Sequence, residues 1–186
     1  MAHARQIPLG ALAGVGAVGF LAGAASGVVR KFAAQAFTTG ATIDWLEALK
    51  HEHRLTTAQF ELLEKTTEKD VAKRTAVFEH IAYGLSKHAV EEENIVYPAL
   101  READQEAAAK HLYDDHSDVK TFIYELRRMP KDDPQWLPRL KAFHALIQEH
   151  VREEEEEIFP AFAAKMTAEQ NAELSRLMQL EGVKVA

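Results

Sequence analysis

The chain has no cysteine at all. Disulfides, thiolate nucleophiles, zinc fingers and Cys-ligated iron–sulfur clusters are therefore excluded, and any metal must be held by nitrogen and oxygen donors. An excess of positive charge is also missing. Against 29 Asp and Glu stand 22 Lys and Arg, so the chain carries no electrostatic footprint for nucleic acid. Glycine and proline are sparse between Thr42 and Leu180, which favours long uninterrupted helices. A fourth absence is local: no charged residue occurs from Ile7 to Val29.

That uncharged run of 23 residues is long enough to span a bilayer core, which takes about 20 residues as a helix. It is built of Ala, Gly, Val and Leu, with Gly19, Gly23 and Gly27 at four-residue intervals, the spacing of close helix packing. Arg30 and Lys31 follow it and only Arg5 precedes it, which places the C-terminal side in the cytoplasm if the run is an anchor. Ala22-Gly23-Ala24 has the form of an export cleavage site. Three readings stand: a membrane anchor with the rest of the chain in the cytoplasm, an exported signal cleaved near Ala24, and a Gly/Ala-rich helix of a soluble protein docked through residues 7–29 on a partner or a second copy.

What is plentiful is histidine, nine in 186 residues, and hydrophobic residues make up 47 % of the chain, enough for a real core. Residues 41–166 read as four long helices and 167–186 as a short C-terminal helix and tail. Thr42 is the expected cap of a first helix reaching about Thr66. Asp70 is the expected cap of a second ending near Pro98. A third runs from about Glu102 to Arg128. Asp133-Pro134 is expected to open a fourth, with Pro at its first position, reaching about Lys165. Thr167 and Gln170 form a capping box. Short connections predict antiparallel neighbours, an all-α up-down-up-down bundle.

Two stretches share one pattern. His88 is followed by Glu92 and Tyr97-Pro98-Ala99, and His150 by Glu154 and Phe159-Pro160-Ala161. Positions i and i+4 share one helix face, so each stretch offers an imidazole and a carboxylate to one point. His53 and His116 fall on the apolar stripes of the first and third helices at a matching depth. The chain looks duplicated, with 63 residues from His53 to His116 and 62 from His88 to His150, although little matches outside the His, Glu and Pro positions. Two carboxylates buried in a bundle cost several kcal/mol each unless compensated, and no Lys or Arg interrupts the stripes at that level. A pair of divalent cations would neutralise Glu92 and Glu154 and use all four histidines. Iron, manganese and zinc suit such donors. His51 competes with His53, His111 with His116, and Glu155 stands beside Glu154 as an alternative ligand. His80 and His144 lie beside the stripes.

The residues 49–53 (Leu-Lys-His-Glu-His), His88-x3-Glu92, Asp115-His116-Ser117-Asp118 and His150-x3-Glu154, each of the paired motifs closed by aromatic-Pro, together resemble the hemerythrin-like or HHE cation-binding family over about residues 43–165. The resemblance implies a non-haem di-iron centre with ligands His53, His88, Glu92, His116, His150 and Glu154. Oxygen-carrying members have a second histidine four residues from the first on the third helix. Here those positions are Leu112 and Lys120, which turns the expectation toward reaction with oxygen, peroxide or nitric oxide in stress or iron handling. The alternatives are an iron or oxygen sensor or iron-delivery module without turnover, and a metal-free structural bundle.

Overall fold

The computed structural model describes residues 43–185. The Gly/Ala-rich segment at 7–29, its cleavage site and the Thr42 cap lie outside the described residues. The elements are α1 (Trp45–Glu64), α2 (Val71–Glu91), a π-helical turn π1 (Glu92–Val96), α3 (Tyr97–Glu102), α4 (Glu106–Arg128), α5 (Trp136–Glu153), a second π-turn π2 (Glu154–Ile158), α6 (Phe159–Ala163) and α7 (Ala168–Lys184). Because each π-turn runs into the next α-helix, α2–π1–α3 is one rod and α5–π2–α6 another. With α1 and α4 they make the up-down-up-down four-helix bundle, in which α1 packs on α2 and α5, and α4 on α5 and α2.

The helix starts differ from the expected ones. Asp44 caps α1, accepting from the Leu46 and Glu47 amides at 3.0 and 3.2 Å. Asp70 does precede α2, but its carboxylate turns back to the Thr67 amide and hydroxyl. The second rod passes through Pro98 and ends at Glu102, and the third begins at Glu106 after Asp104, whose φ of 59° breaks the chain direction. Asp133 accepts from the Gln135 amide in a turn, so Pro134 stays outside α5. The fourth rod stops at Ala163.

Both rods continue through a proline because the backbone widens ahead of it. Pro98 and Pro160 have no N–H to give to the carbonyls four residues before them, and in an α-helix their rings would collide with those carbonyls. The π-turns move the bonding on by one residue, with the Tyr97 amide on the Glu92 carbonyl and the Phe159 amide on the Glu154 carbonyl. Each extra residue lies at the glutamate of a His-x3-Glu pair, a placement common for π-bulges at functional sites.

The interior has three layers. One apolar cluster fills the end near the hairpin turns, with Phe60, Phe78, Ile81, Ile123, Trp136, Leu140 and Phe143 among its members. A second fills the other end, with Trp45, Leu49, Val96, Tyr97, Leu112, Phe159 and Phe162. Between them lies a polar layer of six buried side chains, His53, His88, Glu92, His116, His150 and Glu154. The expected short terminal helix is 17 residues long, and it caps the second cluster with Leu174 and Met178. It opens on the anticipated Thr167/Gln170 box. Ser175 Oγ accepts from the Trp45 amide at 3.0 Å, and Asn171 accepts from the Trp45 indole at 2.8 Å while donating to Asp44. Among the described residues no helix is long and apolar enough to cross a membrane.

The two hairpin turns are joined by one buried cation. Arg74, 1 % exposed, donates to Thr66 Oγ1, to the Thr66 carbonyl and, at 2.7 Å, to the Lys131 carbonyl, and lies 5.0 Å over the Trp136 ring. Removing it leaves two buried carbonyls without donors. Arg74→Ala is expected to destabilise the fold by about 2–4 kcal/mol, read as a lower denaturation midpoint at unchanged slope. A loss below about 0.5 kcal/mol would show that the turns do not depend on it.

Candidate metal centre

The six polar residues converge through their inner atoms. Glu92 Oε2 lies 3.1 Å from His88 Nε2 and 3.2 Å from His116 Nε2. Glu154 reaches the other two, with Oε2 3.4 Å from His53 Nε2 and Oε1 3.4 Å from His150 Nε2. His53 and His88 face each other Nε2 to Nε2 at 3.0 Å. Each glutamate therefore sits between one histidine of each hairpin. The donor atoms form two overlapping groups able to hold a metal ion, His53/His88/Glu92/Glu154 and Glu92/His116/His150/Glu154, with the glutamates common to both. His51 and His80 belong to neither group, and His144 lies elsewhere in the bundle, paired with Glu64 at 2.7 Å and stacked on Phe60.

Four further carboxylates surround the layer, one for each imidazole. Glu52 on α1 takes His88 Nδ1 at 3.0 Å. Glu93 on π1 takes His116 Nδ1 at 2.9 Å. Asp115 on α4 takes His150 Nδ1 at 3.4 Å. Glu155 on π2 takes His53 Nδ1 at 2.7 Å. Ionised carboxylates only accept, so each Nδ1 carries a proton, and in the neutral imidazole Nε2 is the nitrogen left to present a lone pair inward. Glu155, the alternative ligand of the sequence reading, is thus in this structure an outer partner of His53, and Glu154 is the inner group. Two lysines reinforce the ring, Lys87 on Glu52 at 2.8 Å and Lys120 on Glu93 at 2.6 Å.

Tyr97 is a functional group that its motif did not reveal. Its hydroxyl lies inside the layer, donating to Glu154 Oε1 at 2.9 Å and to Glu92 Oε2 at 3.2 Å, 3.0 Å from His116 Nε2. Burial and the two carboxylates hold the phenol well above its usual range, so it stays protonated. The duplicated position is Phe159, which has no hydroxyl. That difference between two otherwise matching aromatic-Pro pairs is the signal the sequence offered.

The donors fit a divalent cation pair. Glu92 Oε1, Glu154 Oε2 and His150 Nε2 are buried without a hydrogen-bond partner, and among the described residues no lysine or arginine pairs with Glu92 or Glu154. Facing nitrogens at 3.0 Å and orphaned carboxylate oxygens are costly unless a proton or a cation lies among them. On the hairpin-turn side a cavity of about 260 Å³ opens, its floor the four histidines and its walls Leu85, Ala89, Val119, Ile123, Ile147 and Val151.

Protonation fills the same need in the free protein. Burial opposes charge on His116, but its bonds to Glu92 and Glu93 outweigh this and hold the imidazole up at about 9. Burial likewise opposes charge on His88, and Glu92 and Glu52 drive it well above the ordinary range. Burial would raise Glu52, yet His88 and Lys87 hold it at about 2. The stabilisation from His116 is complete below about 6.5 and lost as pH rises through about 9, whereas that from Glu52 is complete above about 4.5 and lost toward about 2. The metal-free bundle is expected to be most stable between about pH 4.5 and 6.5 and to melt at progressively lower temperature up to pH 9. A flat melting temperature from pH 6.5 to 9 would contradict this. Metal requires neutral imidazoles, so loading at neutral pH is expected to release protons, measurable in weakly buffered solution.

A family model for the hemerythrin HHE cation-binding domain matches residues 45–162. A DNA nickase of Nostoc sp. is 26 % identical over 124 residues, 67 % of this chain and 35 % of that protein. An uncharacterised hemerythrin-like protein of Schizosaccharomyces pombe is 25 % identical over 133 residues, 69 % of this chain and 64 % of that one. The chain thus spans less than two thirds of the length of either relative. The crystal structure of a hemerythrin HHE cation-binding domain-containing protein from Mycobacterium kansasii superposes with a TM-score of 0.67 at 24 % identity, covering 77 % of this chain and 87 % of that one, and shares the fold. With the family pattern running through both duplicated halves and the buried His/Glu layer between them, the chain belongs to the hemerythrin HHE cation-binding domain family.

Proposed function

We propose that the bundle holds a non-haem pair of metal ions, iron in the first place, and that it binds or reduces a small ligand such as oxygen, peroxide or nitric oxide. The residues that would hold them are His53, His88, Glu92, His116, His150 and Glu154, and both glutamates belong to both donor groups. The observation that carries this reading is the pair of fully buried glutamates, both at 0 % exposure, ringed by four inward imidazole nitrogens and, among the described residues, paired with no lysine or arginine. Calcium and magnesium do not suit such nitrogen-rich donors.

A reduced metal pair held by these residues would supply the electrons for reducing a bound small molecule. The chain's own residues do the rest. The cavity, mostly apolar but edged by Thr56, Ser86, Glu93 and Lys120, offers a small molecule a way to the histidine floor. The outer carboxylates fix the tautomer and aim of each imidazole. Tyr97 Oη keeps a proton within 3.2 Å of both inner glutamates, on one side of the layer only.

Protein purified from iron-replete cells is expected to carry about two metal ions per chain. His88→Ala and Glu154→Ala should each lower that content, measured by elemental analysis, and full occupancy in both would refute the ligand set. Adding oxygen, peroxide or nitric oxide to the reduced protein should change its absorption spectrum. No response to any of the three would sink the redox reading. Val119→Phe, which fills the cavity, should retain the metal yet slow that response about tenfold or more. An unchanged rate would place ligand entry elsewhere.

A further inference from the structure

The two hairpins repeat one arrangement on the outer face of the centre, with one change of chemistry. By the offsets of 63 and 62 residues, Glu52 corresponds to Asp115 and Glu91 to Glu153. In the first hairpin a fixed cation stands between these carboxylates, because Lys87 Nζ lies 2.8 Å from Glu52 Oε1 and is also paired with Glu91. The corresponding position in the second hairpin is Glu149, which pairs with Arg152 at the surface. The ammonium is gone, and His111 stands between the carboxylates. Its Nε2 is 2.6 Å from Glu153 Oε2 and 3.7 Å from Asp115 Oδ2. We propose that His111, Asp115 and Glu153 form a further binding site for a divalent transition-metal ion of the zinc class, at the place where the first hairpin holds its ammonium.

Three observations converge on this. The internal repeat shows that the fold sets a cation between this pair of carboxylates. The second hairpin sets a histidine from α4 where the first sets a lysine from α2, so a group that cannot ligate at neutral pH gives way to one that can. The donors are also placed to chelate: His111 and Asp115 are four residues apart on one face of α4, Glu153 reaches across from α5, and the three donor atoms lie within 4.8 Å of one another. One imidazole and two carboxylates suit zinc, with water completing the shell. His111 is half exposed, so the site is reached directly from solution. Arg152 approaches only the other oxygen of Glu153, at 3.8 Å. Asp115 Oδ2 also receives His150 Nδ1, so one carboxylate touches both the outer ion and an imidazole of the buried layer.

The test is zinc binding by the chelator-stripped full chain, by equilibrium dialysis, for the wild type, His111→Ala and His111→Lys. Lysine restores the bridging charge of the first hairpin but cannot ligate, so it separates ligation from ion pairing. The wild type is expected to bind one zinc ion per chain more than either variant, with His111→Lys melting at the wild-type temperature in the absence of metal. Zinc held by the buried layer is common to all three proteins, so the difference does not depend on it. Equal zinc content in the wild type and His111→Lys would make His111 a protonated bridge like Lys87 and overturn the proposal, even if His111→Ala failed to fold.

Discussion

Everything in this bundle is arranged around the cost of two carboxylates buried between two apolar clusters. Glu92 and Glu154 are completely enclosed, and ions so placed lose several kcal/mol of hydration each. Among the described residues no lysine or arginine pairs with either glutamate. The fold answers with four imidazoles, groups that can hold a proton or give it up to a metal. The centre is therefore charge-balanced in two ways, by protons on histidine or by cations among them, and exchange of one for the other is the basic event that the structure permits.

The rigidity such an exchange needs comes from outside the layer. The carboxylates Glu52, Glu93, Asp115 and Glu155 each come from one rod and hold the imidazole of the next, so that no histidine is aimed by its own helix alone. The π-turns make this possible. By adding a residue at Glu92 and Glu154, they let adjacent glutamates serve different purposes, one facing inward and the next reaching around to a neighbouring rod. The prolines that force these turns are thus part of the site although they touch no ligand atom.

The bundle and its inner six residues were legible because a donor facing the centre must also fall on an apolar stripe, and the three-and-four spacing of such stripes is visible in a sequence. The outer four were not legible for the same reason. Glu52 and Asp115 precede a stripe residue by one, Glu93 and Glu155 follow one, and a carboxylate just off a stripe looks like a solvated face. Glu155 stood out in the run from Glu153 to Glu157 only as an alternative to Glu154, and its reach to His53 on another rod is not written in the spacing. The terminal helix was underestimated because its buried positions, Leu174 and Met178, are few. The helix starts moved because Asp44, Thr67 and Asp133 form local bonds that helical periodicity does not encode.

The circuit of carboxylates has a sense of rotation, running from α1 to the second rod, on to α4, on to the fourth rod and back to α1. Each hairpin supplies two consecutive arcs of it, and each of the two metal-donor groups draws on both hairpins. Turned by half a revolution about the bundle axis, the circuit maps onto itself. A hairpin carrying an acidic residue and a histidine in succession on its first helix and one His-x3-Glu-Glu on its second would close the same ring on pairing with a copy of itself, as an isologous dimer. Two hairpins joined in one chain need not be identical, and Tyr97 against Phe159 and Lys87 against Glu149 are differences that a dimer of identical hairpins could not have.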